Sequence, residues 1–148
     1  MLAGVALGVS VTVKIAEDNI TKITQKSEKH LRMFYLMNQW VKMKQKGKDM
    51  ASFLMNKGYH CIAVYGMSFI GETLLEELKG TSVHILYGID RRGDSLYTDL
   101  HMVTPEDPLD EVDAVVVTAI DSLNEIEKQL REKLKCPIIS VEEILDEI

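Results

Sequence analysis

The chain has 148 residues, 46% of them hydrophobic and 27% charged, with a formal net charge of −6. That suits one α/β domain with a real core and does not suit a disordered chain. The charge is split: residues 1–60 carry ten Lys/Arg against four Asp/Glu, and residues 61–148 carry seven against nineteen. So acidic a body excludes nucleic acid as its partner, because phosphate backbones need a cationic surface. Cys61 and Cys136 are the two cysteines. With no C-x-x-C pair and no histidine at ligand spacing, a zinc site is excluded and both read as reduced, packed thiols.

Met1 to Val13 carries no charge, and Lys14 ends the run. As a helix those residues reach about 20 Å, short of a bilayer core of roughly 30 Å. The basic residues that follow, Lys14, Lys22, Lys26, Lys29 and Arg32, suit the cytoplasmic side of a membrane. The expectation for residues 1–26 is an apolar-then-basic arm. It would contact a membrane through residues 1–16, in a cytoplasmic protein tethered to the inner face. A strand or helix packed on the body, or an oligomer contact, is the alternative.

From residue 27 the pattern turns helical, with Met33, Leu36, Met37, Trp40 and Met43 on one face. That face packs on the body or forms a homodimer through the 27–46 helix. Gly47 breaks the helix, Asp49 caps a short second one, and Gly58 closes it. Residues 27–58 therefore read as a helical hairpin.

Residues 59–148 read as alternating strands and helices. Cys61 to Tyr65 is an apolar strand, followed by a helix with Ile70, Leu74 and Leu78 inward and Glu72, Glu76 and Glu77 toward water. Val83 to Ile89 is the second strand, Leu100 to Val103 a short edge strand, and Thr104-Pro105-Glu106-Asp107 a helix start. Ala114 to Thr118 is the next strand. Ser122 and Glu125 form a capping box, as do Ser140 and Glu143 after the final strand Pro137 to Ile139. The order predicts a Rossmann-like α/β fold, a parallel sheet of four to five strands flanked by helices and preceded by a helical arm.

The turn after the first strand reads Gly66-Met67-Ser68-Phe69-Ile70-Gly71. The dinucleotide fingerprint G-x-G-x-x-G has its first and third glycines here, and Ser68 stands where the second belongs. Backbone N–H groups at the helix start then face an anionic phosphate. Asp90 lies nineteen residues after Gly71 at the end of a strand, where an acid holds a ribose hydroxyl. Arg91 and Arg92 are candidates for a further phosphate, and Thr118 and Ala119 for the loop that covers the ligand. The ligand class is a small-molecule nucleotide, NAD(P) or a nucleotide-sugar.

The stretches CIAVYGMSFIGETLLEEL, YGIDRRGDSLYTDL, TPEDPLDEVDAVVVTAI and CPIISVEEIL resemble a known group. They look like the small Rossmann-like domains encoded among bacterial surface-polysaccharide and sugar-modifying genes. Similar units form the carboxy-terminal part of sugar C-methyltransferases and the amino-terminal part of sugar O-acyltransferases. The Y-G-M-x-x-x-G turn and the I-D-R strand ending carry the likeness. It implies a nucleotide or nucleotide-sugar site at Gly66, Ser68, Gly71 and Asp90, in relatives whose chemistry lies on another domain.

No catalytic constellation is present in the sequence. The Y-x-x-x-K pair of short-chain epimerases is missing, since Tyr35, Tyr59, Tyr65, Tyr87 and Tyr97 are followed four places on by Gln39, Ala63, Phe69, Arg91 and His101. The leading expectation is a nucleotide-binding module in a sugar or polysaccharide pathway that is non-catalytic alone. A protein-binding scaffold with a vestigial site and an NAD(P)-dependent oxidoreductase or epimerase are the alternatives.

Overall fold

The computed structural model describes residues 2–92 and 100–148, with side chains from residue 10 onward. It divides into two units, residues 1–35 and 36–148. The first is the leading part of one helix, α1 (Leu2–Gln45), 44 residues long. The helix runs unbroken through residue 26. No glycine or proline lies between Gly8 and Gly47 to interrupt the helix. Every residue from 10 to 32 is exposed. No helix among the described residues is long and apolar enough to cross a membrane. Of the expected membrane contact, residues 1–9 lie outside the described side chains.

The second unit begins with the last turns of α1, where Leu36, Trp40 and Met43 are buried. This part of the expected methionine-rich stripe packs on the chain's own body. Asp49 then caps α2 (Met50–Asn56) by accepting the Ser52 N–H at 2.7 Å. Sequence pattern put Glu77 toward water, but its side chain is only 8% exposed. Its carboxylate accepts from Trp40 Nε1 and, at 2.9 Å, from Met50 N–H. One acid thus fastens α1, α2 and the helix on which it lies, a tertiary demand that helical periodicity cannot reveal.

Five strands form one parallel sheet: β1 (Cys61–Tyr65), β2 (His84–Ile89), β3 (Met102–Val103), β4 (Ala114–Val117) and β5 (Ile138–Ser140). Their order is β3-β2-β1-β4-β5, all neighbours parallel. α3 (Phe69–Leu78) connects β1 to β2, α4 (Leu123–Arg131) connects β4 to β5, and α5 (Val141–Glu147) closes the chain. This is the expected α/β fold with the Rossmann-like strand order. The central strands are buried on both faces, so they read as unbroken apolar runs. On one face Ala63, Tyr65, Tyr87, Ile89, Val115 and Val117 pack with Ile126, Leu130 and Leu134 from the α4 segment.

Two local expectations fail. Thr104 to Asp107 starts no helix. The Asp107 carboxylate accepts the Thr104 N–H at 2.7 Å and the Thr104 hydroxyl at 2.8 Å, closing a turn. Pro108, which has no N–H to continue a helix, follows at once. Ser122 does occupy the N-cap position of α4, but its side chain makes no cap bond because its backbone (φ −132°, ψ 17°) is not extended.

Candidate functional site at the carboxyl edge of the sheet

Tyr65, Ile89, Val103, Val117 and Ser140 end the five strands in register with their neighbours. The residues after them form one rim. From β1 the chain moves outward to β2 and β3, then returns to β4 on the other side. The strand order therefore reverses between β1 and β4, the point at which open α/β sheets bind ligands.

The turn from β1 into α3 sits at that point. Gly66 continues the ladder by donating its N–H to Ile89 O at 2.9 Å, and then bends at φ +95°. A Cβ at Gly66 would lie 2.9 Å from Thr118 Oγ1 and 3.3 Å from Ala119 N. Only glycine satisfies both the left-handed backbone and this contact. Gly71 is needed for a different reason, since its Cβ would lie 2.3 Å from Gly66 O. The first turn of α3 therefore sits directly against the strand end, the close approach expected of the third fingerprint glycine.

Ser68 holds the N-cap position with extended backbone (φ −99°, ψ −169°), yet its side chain makes no cap bond. It is exposed, as is Phe69, at 71%. Neither side chain fills the turn. Met67 and Ile70 are each 1% exposed and belong to the core, so they bring only backbone to the rim. The first N–H groups of α3 have no intrahelical acceptor, and the helix dipole adds partial positive charge there.

Asp90 joins this turn. Its Oδ2 accepts the Met67 N–H at 3.1 Å, and its Oδ1 accepts the Arg92 N–H at 2.9 Å and Arg92 Nε at 3.4 Å. Burial, the largest single influence, pushes its pKa up. The hydrogen bonds from Arg92 and Met67, with the Arg92 charge, outweigh burial and hold the carboxyl below its usual value. Asp90 is thus an ionised brace between the end of β2 and the glycine turn. Accepting three donors leaves about one of a carboxylate's roughly four acceptor positions for a ribose hydroxyl.

The two arginines diverge. Arg92 is engaged with Asp90, while Arg91 reaches toward Glu125 Oε2 at 4.0 Å and is 63% exposed. Tyr65, missed by sequence reasoning, lies near Arg91 and is the leading influence raising its pKa. The phenol oxygen is nonetheless buried without a hydrogen bond of ordinary geometry among the described residues. Apolar strand patterning hid it, because a tyrosine in such a run reads as packing.

Thr118 is 2% exposed. Its hydroxyl donates to Tyr65 O at 3.1 Å and also contacts Gly66 O, and its N–H bonds Tyr65 O at 2.9 Å. It ties β4 to the turn. Ala119 lies against Gly66. The structure therefore brings Gly66, Met67, Gly71, Asp90, Thr118 and Ala119 together. It leaves Ser68, Phe69 and Arg91 exposed on the rim. A shallow open groove is lined by Thr118, Ala119, Ile120, Leu123, Ser140 and Leu36. Comparison with known protein families, curated proteins and solved structures finds no match. The reading of this edge therefore rests on its own geometry.

Proposed function

We propose that this chain is a nucleotide-binding module that takes the diphosphate of a nucleotide or nucleotide-sugar at the start of α3. The observation that carries the reading is the pair Gly66 and Gly71. One bends at φ +95° against Thr118, and the other leaves no room for a Cβ against Gly66 O. Together they hold an uncapped helix start against the strand end where the strand order reverses. Backbone N–H groups held in that way are an anion site that needs no catalytic side chain. Either a nucleotide-sugar or NAD(P) supplies such a diphosphate.

The test is thermal unfolding with a UDP-sugar, NAD or NADP at 1 mM, on wild type and Ser68→Asp. A ligand present at 100 times its dissociation constant stabilises the fold by about 2.7 kcal/mol. Asp at position 68 puts a carboxylate on the same N–H groups, raising the stability of the ligand-free protein by about 0.5–1 kcal/mol. The expected result is stabilisation of wild type that Ser68→Asp abolishes. No stabilisation by any of the three overturns the reading, and so does an undiminished shift in Ser68→Asp.

A further inference from the structure

The first unit leaves a large apolar surface whose spacing can be read. We propose that α1 pairs with α1 of a second copy of this chain as a two-stranded coiled coil. Its seam is Val13, Ala16, Ile20, Ile23 and Phe34, with Ser27 and His30 filling the two remaining places.

Those seven positions alternate by three and four residues, a mean period of 3.5. A straight helix drifts about 20° per heptad from such a repeat, so a stripe that keeps it stays in contact only with a supercoiled like partner. The seam side chains are open: Val13 is 50%, Ile20 65%, Ile23 68% and Phe34 63% exposed. Helices draw most of their stability from packing an apolar face, and in the first unit the ring of Phe34 meets that of the adjacent Tyr35 edge-on, 6.0 Å between centroids, a contact that covers little of this face.

The charges point to the same partner. Between Val13 and Phe34 the helix carries eight charged residues, among them Lys14, Glu17, Asp18 and Lys26, and none falls on the seam. In a parallel pair the flanking positions confront Thr12 with Glu17, Asn19 with Thr24 and Lys26 with Leu31, so no like charges meet. Burial in a bilayer would instead desolvate the charged faces. Of the 27–46 face considered from sequence, Leu36, Trp40 and Met43 pack within the second unit.

The described seam from Val13 to Phe34 spans 21 residue steps, about 32 Å. A strip about 10 Å wide along it covers about 320 Å² per copy, or about 640 Å² for the pair, which is the size of a weak interface and makes the pairing concentration-dependent. The 3–4 spacing continues in the sequence to Met37 and Val41, and Val41 is half exposed.

Sedimentation equilibrium of the full chain at 50 µM tests this. The expected mass is twice 16.7 kDa, falling to the single-chain value in Ile20→Asp/Ile23→Asp. Val11→Asp, equally exposed but off the seam, retains the doubled mass. Hydrogen exchange gives a second measure independent of any variant, with amides of residues 16–34 slowing at least tenfold as concentration rises from 0.5 to 50 µM. A single-chain mass for wild type overturns the proposal, including one that cosediments with anionic vesicles. So does a doubled mass that survives the double substitution or is lost equally in Val11→Asp, or exchange that ignores concentration.

Discussion

Two serines stand at the same place in two strand-to-helix turns of this sheet, and they behave differently. Ser140, at the end of β5, closes a full capping box: its hydroxyl accepts the Glu143 N–H at 3.1 Å, and Glu143 accepts the Ser140 N–H at 2.7 Å. Ser68, between β1 and α3, makes no cap bond, and its helix start stays open. The backbones are alike, extended in both cases. The difference lies three residues on, where α5 has Glu143 and α3 has Gly71. The close approach to Gly66 O that forbids a side chain at position 71 also removes the partner a capping box requires. The reciprocal half of a capping box is thus excluded by the tight turn, which lies where the strand order reverses. At β5, away from that reversal, the chain completes its own cap.

Substitutions can break this contrast, and the largest effect is expected at Gly71. Gly71→Ala puts a methyl 2.3 Å from backbone that cannot give way. It should cost about 3 kcal/mol or more in urea unfolding. Gly66→Ala combines a φ of +95° with a contact to the Thr118 side chain, which can shift slightly. About 2 kcal/mol is expected. Ser140→Ala should cost about 1 kcal/mol through its cap, whereas Ser68→Ala should stay within about 0.5 kcal/mol. Equal losses at the two serines would show that the α3 start is capped in solution, and the contrast would disappear.

Acid gives the smallest effect and the most local. The folded Asp90 pKa lies below its unfolded value, so its bracing of the turn is fully present above the ordinary carboxylate range and fades as pH falls through the folded value. The protection of the Met67 and Arg92 amides relative to intrinsic exchange at each pH should fall on acidification below about pH 4, and Asp90→Asn should remove that dependence. An unchanged pH profile in the variant would mean that Asp90 does not brace the turn.

A different group governs the alkaline side. Burial is the main cause that raises the Tyr87 phenol to about 12, and its hydroxyl donates to Asp110 O at 2.6 Å. Its contribution is present below about pH 10 and lost as pH rises toward the folded value. Tyr87→Phe should flatten the decline of melting temperature above pH 10 while leaving the α3 start untouched.

Much of this was legible from residue order. Apolar runs at β1 and β4 announced strands covered on both faces, and helices placed between them required parallel pairing with crossovers. Gly66, Gly71 and the Ser140–Glu143 box could be named because short-range geometry demands those residue types at those spacings. Glu77, Tyr65 and the Thr104 turn were misread or missed. Glu77 and Tyr65 depend on what arrives from elsewhere in the chain, Trp40 onto Glu77 and Arg91 near Tyr65, whereas the Thr104 turn is local, closed by Asp107 three residues on and followed by Pro108.

The sequence alone determined the elements and their parallel pairing, because hydrophobic period and turn chemistry act over a few residues. The tertiary structure decided where the strand order reverses, that Asp90 braces Met67, and that the start of α3 stays open while that of α5 closes. Those outcomes depend on distances between residues far apart in the chain, and such distances exist only once the sheet has assembled.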